Sequence, residues 1–188
     1  GYIYAYLTKG QDINQCVPFV VNEAGRTDNE FPGLFKAVFR FDDPDMFIIR
    51  FGYGSQQNKA LTMWILEFDP SVKIQHGFLS MTGTSAQDTI EEVNLGRAFL
   101  HFYAYGTSGE DYPRSHLVCG RLLNSTTLEF YRTYTSGAAS ISWYIVECAE
   151  QGDESYWRVQ HDYRTSLGGA GSVYAYLDKL PRFNRTIL

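Results

Sequence analysis

Short β-prone runs, each closed by turn-forming residues, recur along the chain. Leu34 to Phe41 is one such run; Asp42-Asp43-Pro44-Asp45 breaks it, and Met46 to Phe51 resumes it, which predicts a hairpin. His116 to Leu123 and Leu128 to Thr133 flank Asn124-Ser125-Thr126-Thr127 in the same way, and Ser136-Gly137 turns the chain into Ile141 to Cys148. The pattern predicts a strand-turn-strand-turn-strand meander in each half. Another apolar strand precedes each meander, Val17 to Val21 in one and Ala98 to Tyr103 in the other. Gln87 to Asn94 has room for a helical turn, but no stretch sustains a 3.6-residue apolar period, so helix content is expected to be low.

The two halves also align. Phe47 to Phe78 lies over Leu128 to Tyr163 with loop-length adjustments: Trp64-Ile65-Leu66-Glu67-Phe68 falls on Tyr144-Ile145-Val146-Glu147-Cys148, Arg50 near Arg132, and Gln75-His76 on Gln160-His161. Upstream, Phe31-Pro32 answers Tyr112-Pro113. A period of roughly eighty residues exceeds a solenoid repeat and suits a small domain. The expected organisation is a module over residues 1–70, a second over 71–155, and a C-terminal strand and extended arm over 156–188. The ends echo each other, Ile3 to Lys9 with Val173 to Lys179, and the residues from about Tyr156 onward read as the beginning of a third copy. Both alternating aromatic strands are suited to strand addition between subunits or to pairing within their own chain.

Composition narrows the function classes. At 44% hydrophobic and 20% charged, the chain is that of a folded protein, and no apolar run has the length of a membrane span. A net charge of −5, with Lys and Arg scattered, argues against a nucleic-acid partner. The residues after Gly1 lack a basic n-region, so synthesis in the cytoplasm is expected. Of the three cysteines, Cys119 aligns with Val38 or Phe39 and Cys148 with Phe68, so buried thiols are expected; a Cys119–Cys148 bridge is the alternative.

No G-x-S-x-G, H-E-x-x-H, C-x-x-C or P-loop pattern is present, so no catalytic residue, metal site or cofactor is expected. His76, His101, His116 and His161 lack metal-ligand spacing and are expected at exposed sheet positions. Asp42, Asp43 and Asp45 are read as a solvated turn, since the matching turn of the other half carries no charge; calcium is the lesser alternative. Glu67 and Glu147 recur at one strand end and are read as structural residues, partners for Arg50 and Arg132. With 14 Tyr, 13 Phe and 3 Trp, the aromatic load exceeds what two small cores require. Tyr2, Tyr4, Tyr6, Tyr103, Tyr105, Tyr174 and Tyr176, with Arg182 and Arg185 of the arm, are therefore candidates for inter-subunit contacts. Trp64 and Trp143 are expected as core plugs, and Trp157 is the candidate for stacking on a sugar ring.

The order Lys73-Ile74-Gln75-His76-Gly77, Gly96-Arg97-Ala98-Phe99-Leu100, Asn124 to Arg132, and Ser140 to Glu147 resembles a β-sandwich repeat of tailed-bacteriophage virion proteins. Those repeats carry a Val-Gln-Arg-Gly-like strand start, an Arg closing a strand-turn-strand, and an aromatic strand ending in Val-Val-Glu. His76 and His161 depart from the usual Arg, and Asp162 from the Gly. The architecture is also similar to H-type lectin sandwiches, with a Pro-led strand and a late Trp. The resemblance implies an all-β fold of two tandem antiparallel β-sandwich modules, Ig-like or H-type-lectin-like, with a C-terminal extension. It further implies a non-enzymatic virion structural protein, made in the host cytoplasm, that decorates or joins head or tail. Its partners would be other virion proteins and itself as a homo-oligomer, with no nucleic acid and no membrane. A lectin-like adhesin binding host-surface glycan is the alternative.

Overall fold

The computed structural model describes residues 2–6, 12–24, 38–43, 46–50, 60–106, 117–135, 137–148, 159 and 161. It is all-β, with several antiparallel sheets packed together in a sandwich-like arrangement. The strands are β1 (Tyr2–Tyr6), β2 (Cys16–Ala24), β3 (Val38–Asp43), β4 (Met46–Arg50), β5 (Ala60–Glu67), β6 (Lys73–Met81), β7 (Ser85–Thr89), β8 (Ala98–Gly106), β9 (Cys119–Asn124), β10 (Thr127–Tyr131) and β11 (Ala139–Glu147). A single 3₁₀ turn, Ile13–Gln15, is the helical element among the described residues.

Both predicted hairpins form: β3 pairs antiparallel with β4, and β9 with β10. The meanders do not. The third strand of each leaves its hairpin, β5 to pair with β2, and β11 to lie between β6 and β8. The reason is visible in β11, whose residues from Ala139 to Val146 are all buried, so that both of its faces must be covered. Gln87 to Asn94 also differs from expectation, because Gln87 to Thr89 belong to β7 and no helical turn follows.

The pairing pattern occurs twice. Sheet β1-β4-β3 accompanies the pair β2-β5, and sheet β7-β10-β9 accompanies the pair β8-β11, with β6 added on the far side of β11. Registers agree as well: Cys16 stands opposite Glu67 and Phe19 opposite Trp64, while Ala98 stands opposite Glu147 and His101 opposite Tyr144. Thus Trp64 to Glu67 and Tyr144 to Glu147 occupy equivalent places, as their alignment predicts. The turns leading into β2 and β8 repeat too. Asp12 Oδ1 accepts the Asn14 N–H and its carbonyl accepts that of Gln15; Asn94 does the same for Gly96 and Arg97, all four bonds being 2.9 Å long. These side chains form the same Asx turn from different residues.

The main core lies between β6-β11-β8 and β7-β10-β9. Ala139, Ile141, Trp143 and Ile145 point into it from β11 and meet Leu128 and Phe130 of β10, Leu122 of β9 and Met81 of β6. Trp143 is a core plug as predicted, 6% exposed, and its indole N–H donates to Asp88 Oδ2 at 3.0 Å. Gly77 makes room for the ring: it stands directly opposite on β6, and a Cβ there would overlap Cζ2 of Trp143. On the other face of β11, Tyr144 and Val146 pack against Val17, so β2 forms a third layer there.

Two expectations fail for positional reasons. Trp64 is 59% exposed, not a core plug; β2, not β5, covers the second layer. Cys119 is exposed because Gly120 and Leu122 take the inward face of β9, leaving Cys119 and Leu123 outward. Cys148 is buried as expected, and all three thiols are free, so the Cys119–Cys148 bridge is not formed.

Replacing Gly77 by Ala is expected to overpack this site and to destabilise the protein by about 1–3 kcal/mol. Urea unfolding of G77A against the parent checks it; an unchanged midpoint would show that Trp143 is not held against the Gly77 backbone.

Candidate functional site

A polar and aromatic cluster lies where β2 meets the β6-β11-β8 sheet. Phe19 and His101 each stand fourth in a nine-residue strand, β2 and β8, so they are equivalent positions. Their rings stack, with centroids 4.3 Å apart and planes inclined by 25°. Contact between equivalent positions is what a local two-fold axis would place at its centre. Tyr103 meets His101 edge-on at 4.7 Å, and Tyr144 lies beneath at 6.3 Å. The Pro18 carbonyl accepts the Tyr103 hydroxyl at 3.2 Å and lies 3.0 Å from His101 Nε2. Because a carbonyl only accepts, the neutral imidazole carries its proton on Nε2.

Burial sets the electrostatics. It pulls the His101 pKa below the usual histidine value, against the opposing effect of the Pro18 hydrogen bond. It pushes the Tyr144 phenol far above its ordinary range, with a further contribution from Tyr103. Cys16 is pushed up to about 11, by burial first and then by the carboxylates of Glu67 and Asp12, while Cys148 is raised chiefly by burial. Neither buried thiol is therefore poised as a thiolate at neutral pH. The cluster joins layers.

The recurring charged residues have partners other than those expected. Arg132 is buried, and burial lowers its pKa. Its guanidinium donates to the carbonyls of Met81, Thr82, Gly83 and Gly137 at 3.2, 3.1, 3.0 and 2.6 Å. One cation thus ties the β6–β7 turn to the turn before β11, where Gly137 adopts a positive φ of 78°. Glu147 instead accepts the Asn94 N–H at 2.8 Å and pairs with Arg97 at 3.6 Å, fixing the end of β11 to the Asx turn. The expected Arg132–Glu147 pair is therefore replaced by two separate clamps, since the two residues serve different turns. Arg50 ends β4 opposite Tyr2 and Val38; its side chain lies outside the described residues, and Glu67 stands opposite Cys16.

Gln75, a residue the alignment singled out, bonds the backbone of Glu91 twice: its amide donates to the carbonyl at 3.0 Å and its oxygen accepts the N–H at 2.8 Å. His76 is exposed as expected, and so is His161, whose Nε2 lies 2.9 Å from the Leu95 carbonyl. His101 differs, being half-buried at the layer junction. His116 lies outside the described residues. Tyr103, expected at a subunit interface, is bound within the chain by Pro18 and His101.

Tyr2, Tyr4 and Tyr6 are in β1, which pairs with β4 through Arg50, Ile48 and Met46; their side chains, and that of Tyr105, lie outside the described residues. The same holds for all of Trp157, Tyr174, Tyr176, Arg182 and Arg185. Asp42 and Asp43 belong to β3, with a register irregularity between Phe41 and Asp43, while Asp45 falls outside. Among the described residues no group of three or more His, Cys, Asp or Glu is placed to hold a metal ion, and no helix is long and apolar enough to cross a membrane.

A second surface is apolar and open. Trp64 and Leu66 of β5 are 59% and 43% exposed, whereas their counterparts Tyr144 and Val146 are 1% and 0% exposed. The junction residues Pro18, Phe19 and His101 were not legible as a unit from sequence; laying the two nine-residue strands β2 and β8 over each other is the signal that finds them. Compared with known proteins, the chain matches no family model, no curated protein and no solved structure.

His101 supplies a pH test. Its folded pKa lies below the unfolded value, so the unfolded state takes up the proton first as pH falls. Stability from neutral His101 is fully present above about pH 6.5 and is lost as pH falls from there through the folded pKa. H101Q is expected to unfold with a shallower pH dependence over this window, by denaturant titrations at several pH values. An unchanged slope would show that His101 is not the group taking up the proton.

Proposed function

We propose that the chain is a non-enzymatic structural protein of a tailed-phage particle, decorating or joining head or tail. In this reading residues 1–70 and 71–155 are two sandwich modules, and 156–188 is a strand and arm that engage neighbours. The partners are other virion proteins and further copies of the chain. The observation that carries the reading is the contrast between equivalent strands: the surface of β11 bearing Tyr144 and Val146 is a packing surface, while the corresponding surface of β5 bearing Trp64 and Leu66 is left open. A large exposed Trp beside an exposed Leu suits a protein–protein contact, where aromatic residues concentrate. The Arg132 and Glu147 clamps agree with it, because the recurrent charges hold turns. The strand motifs quoted above point to the virion class.

Antibody labelling of purified tailed particles from the source, viewed by negative-stain electron microscopy, tests the proposal. Regularly spaced label on head or tail is expected, together with the chain at many copies per particle by mass spectrometry. Purified particles free of the chain would overturn it. Specific, saturable binding on a glycan array by a chain missing from particles would favour the adhesin.

A further inference from the structure

Seven asparagines occur in the chain, and six of them precede Gln, Glu, Lys, Leu or Arg; Asn124 alone precedes a small residue, Ser125. The following residue matters because its backbone nitrogen is the nucleophile that can close on an asparagine side-chain amide, and a bulky side chain there shields it. The fold places this pair at the tip of the β9–β10 hairpin, where Asn124 ends β9 and stands opposite Thr127 at the start of β10. Asn124 is exposed there.

The turn also activates the amide. Asn124 Oδ1 accepts the Thr126 N–H at 2.9 Å and the Thr126 hydroxyl at 3.1 Å. Two donors on one carbonyl oxygen draw electrons from Cγ, and they sit where negative charge develops when a nucleophile adds to that carbon. Among the described residues, Asn124 Nδ2 finds no acceptor and neither does the Ser125 N–H, so the leaving group and the nucleophile are both unencumbered. Asn94 offers the contrast: its Oδ1 accepts the Gly96 N–H, and the bulkier Leu95 follows it.

We infer that Asn124 is a site of spontaneous covalent self-modification, at which the Ser125 nitrogen closes on the side-chain amide while Thr126 stabilises the developing oxyanion. In the closing step the Ser125 nitrogen loses its proton, its bond to Cγ forms, the Cγ–Nδ2 bond breaks, and Nδ2 leaves as ammonia with that proton. Water then opens the cyclic imide. Addition at Cγ returns the ordinary backbone with aspartate at this position. Addition at the backbone carbonyl leaves the chain running through Cγ, as isoaspartate. Both products add a negative charge to the hairpin tip. Aspartate keeps an acceptor for Thr126 and with it the Asx turn. Isoaspartate lengthens the backbone where the Ser125 and Thr126 carbonyls accept the N–H groups of Val93 and Ile90 at 2.9 and 3.0 Å. Ile90 and Val93 are buried in the main core, so this product loosens the tie between the hairpin and that segment. The inference goes beyond the assembly role proposed above and does not rest on it.

Peptide mapping by mass spectrometry of the folded full-length chain, sampled over time at mildly alkaline pH, tests it, with the aspartate and isoaspartate peptides separated by chromatography. Conversion at Asn124 is expected to run at least about tenfold faster than at Asn14 and Asn94, which are also exposed. T126V removes the hydroxyl donor at an exposed turn position and keeps the backbone donor; it is expected to slow conversion by about three- to tenfold. T126S, which restores the hydroxyl, is expected to restore the rate. Equal rates at the three asparagines of the folded chain, or a T126V rate equal to that of the parent, would overturn the inference.

Discussion

The described structure depends on the burial of one strand from both sides. β11 sends Ile141, Trp143 and Ile145 into the main core and Tyr144 and Val146 into a second cluster, with hydrogen-bonded neighbours on both edges. Each large apolar side chain buried in this way stabilises by about 1.5–3 kcal/mol relative to exposure. Among the strands whose side chains are described throughout, no other is buried so completely. The two clamps serve it as well: buried Arg132 holds the turn that feeds β11, and Glu147 locks its end to the Asx turn before β8.

This constraint explains which features could be read from the residues. Hairpins β3–β4 and β9–β10 were legible because turn residues and short-range alternation encode them locally. The equivalence of Trp64–Glu67 with Tyr144–Glu147 was legible because strand positions repeat, and the registers agree with it. The partner of a third strand is a non-local choice, settled by which sheet can cover both of its faces, so a meander was the natural but incorrect reading. Trp64 shows the same limit. Alignment with a buried counterpart suggests burial, but exposure depends on whether another layer lies over that copy.

The cluster at the layer junction was hidden for a different reason. Phe19 and His101 share no chemistry, so their equivalence appears only once β2 and β8 are placed in register. Likewise Asp12 and Asn94 build identical turns from different side chains. Repetition here is carried by geometry more than by residue identity. An assembly function is coherent with such a chain, because a unit that packs on its own copy already has the surfaces needed to pack on another.

Amide hydrogen exchange resolved by residue tests the central role of β11 most directly. If its two-sided burial organises the fold, the amides of Ile141 to Val146 exchange only through global unfolding and share the largest protection in the described structure, above those of β7 and β9. Exchange of these amides at the rate of the β7 or β9 edges, by a local opening that leaves the rest protected, would contradict the account.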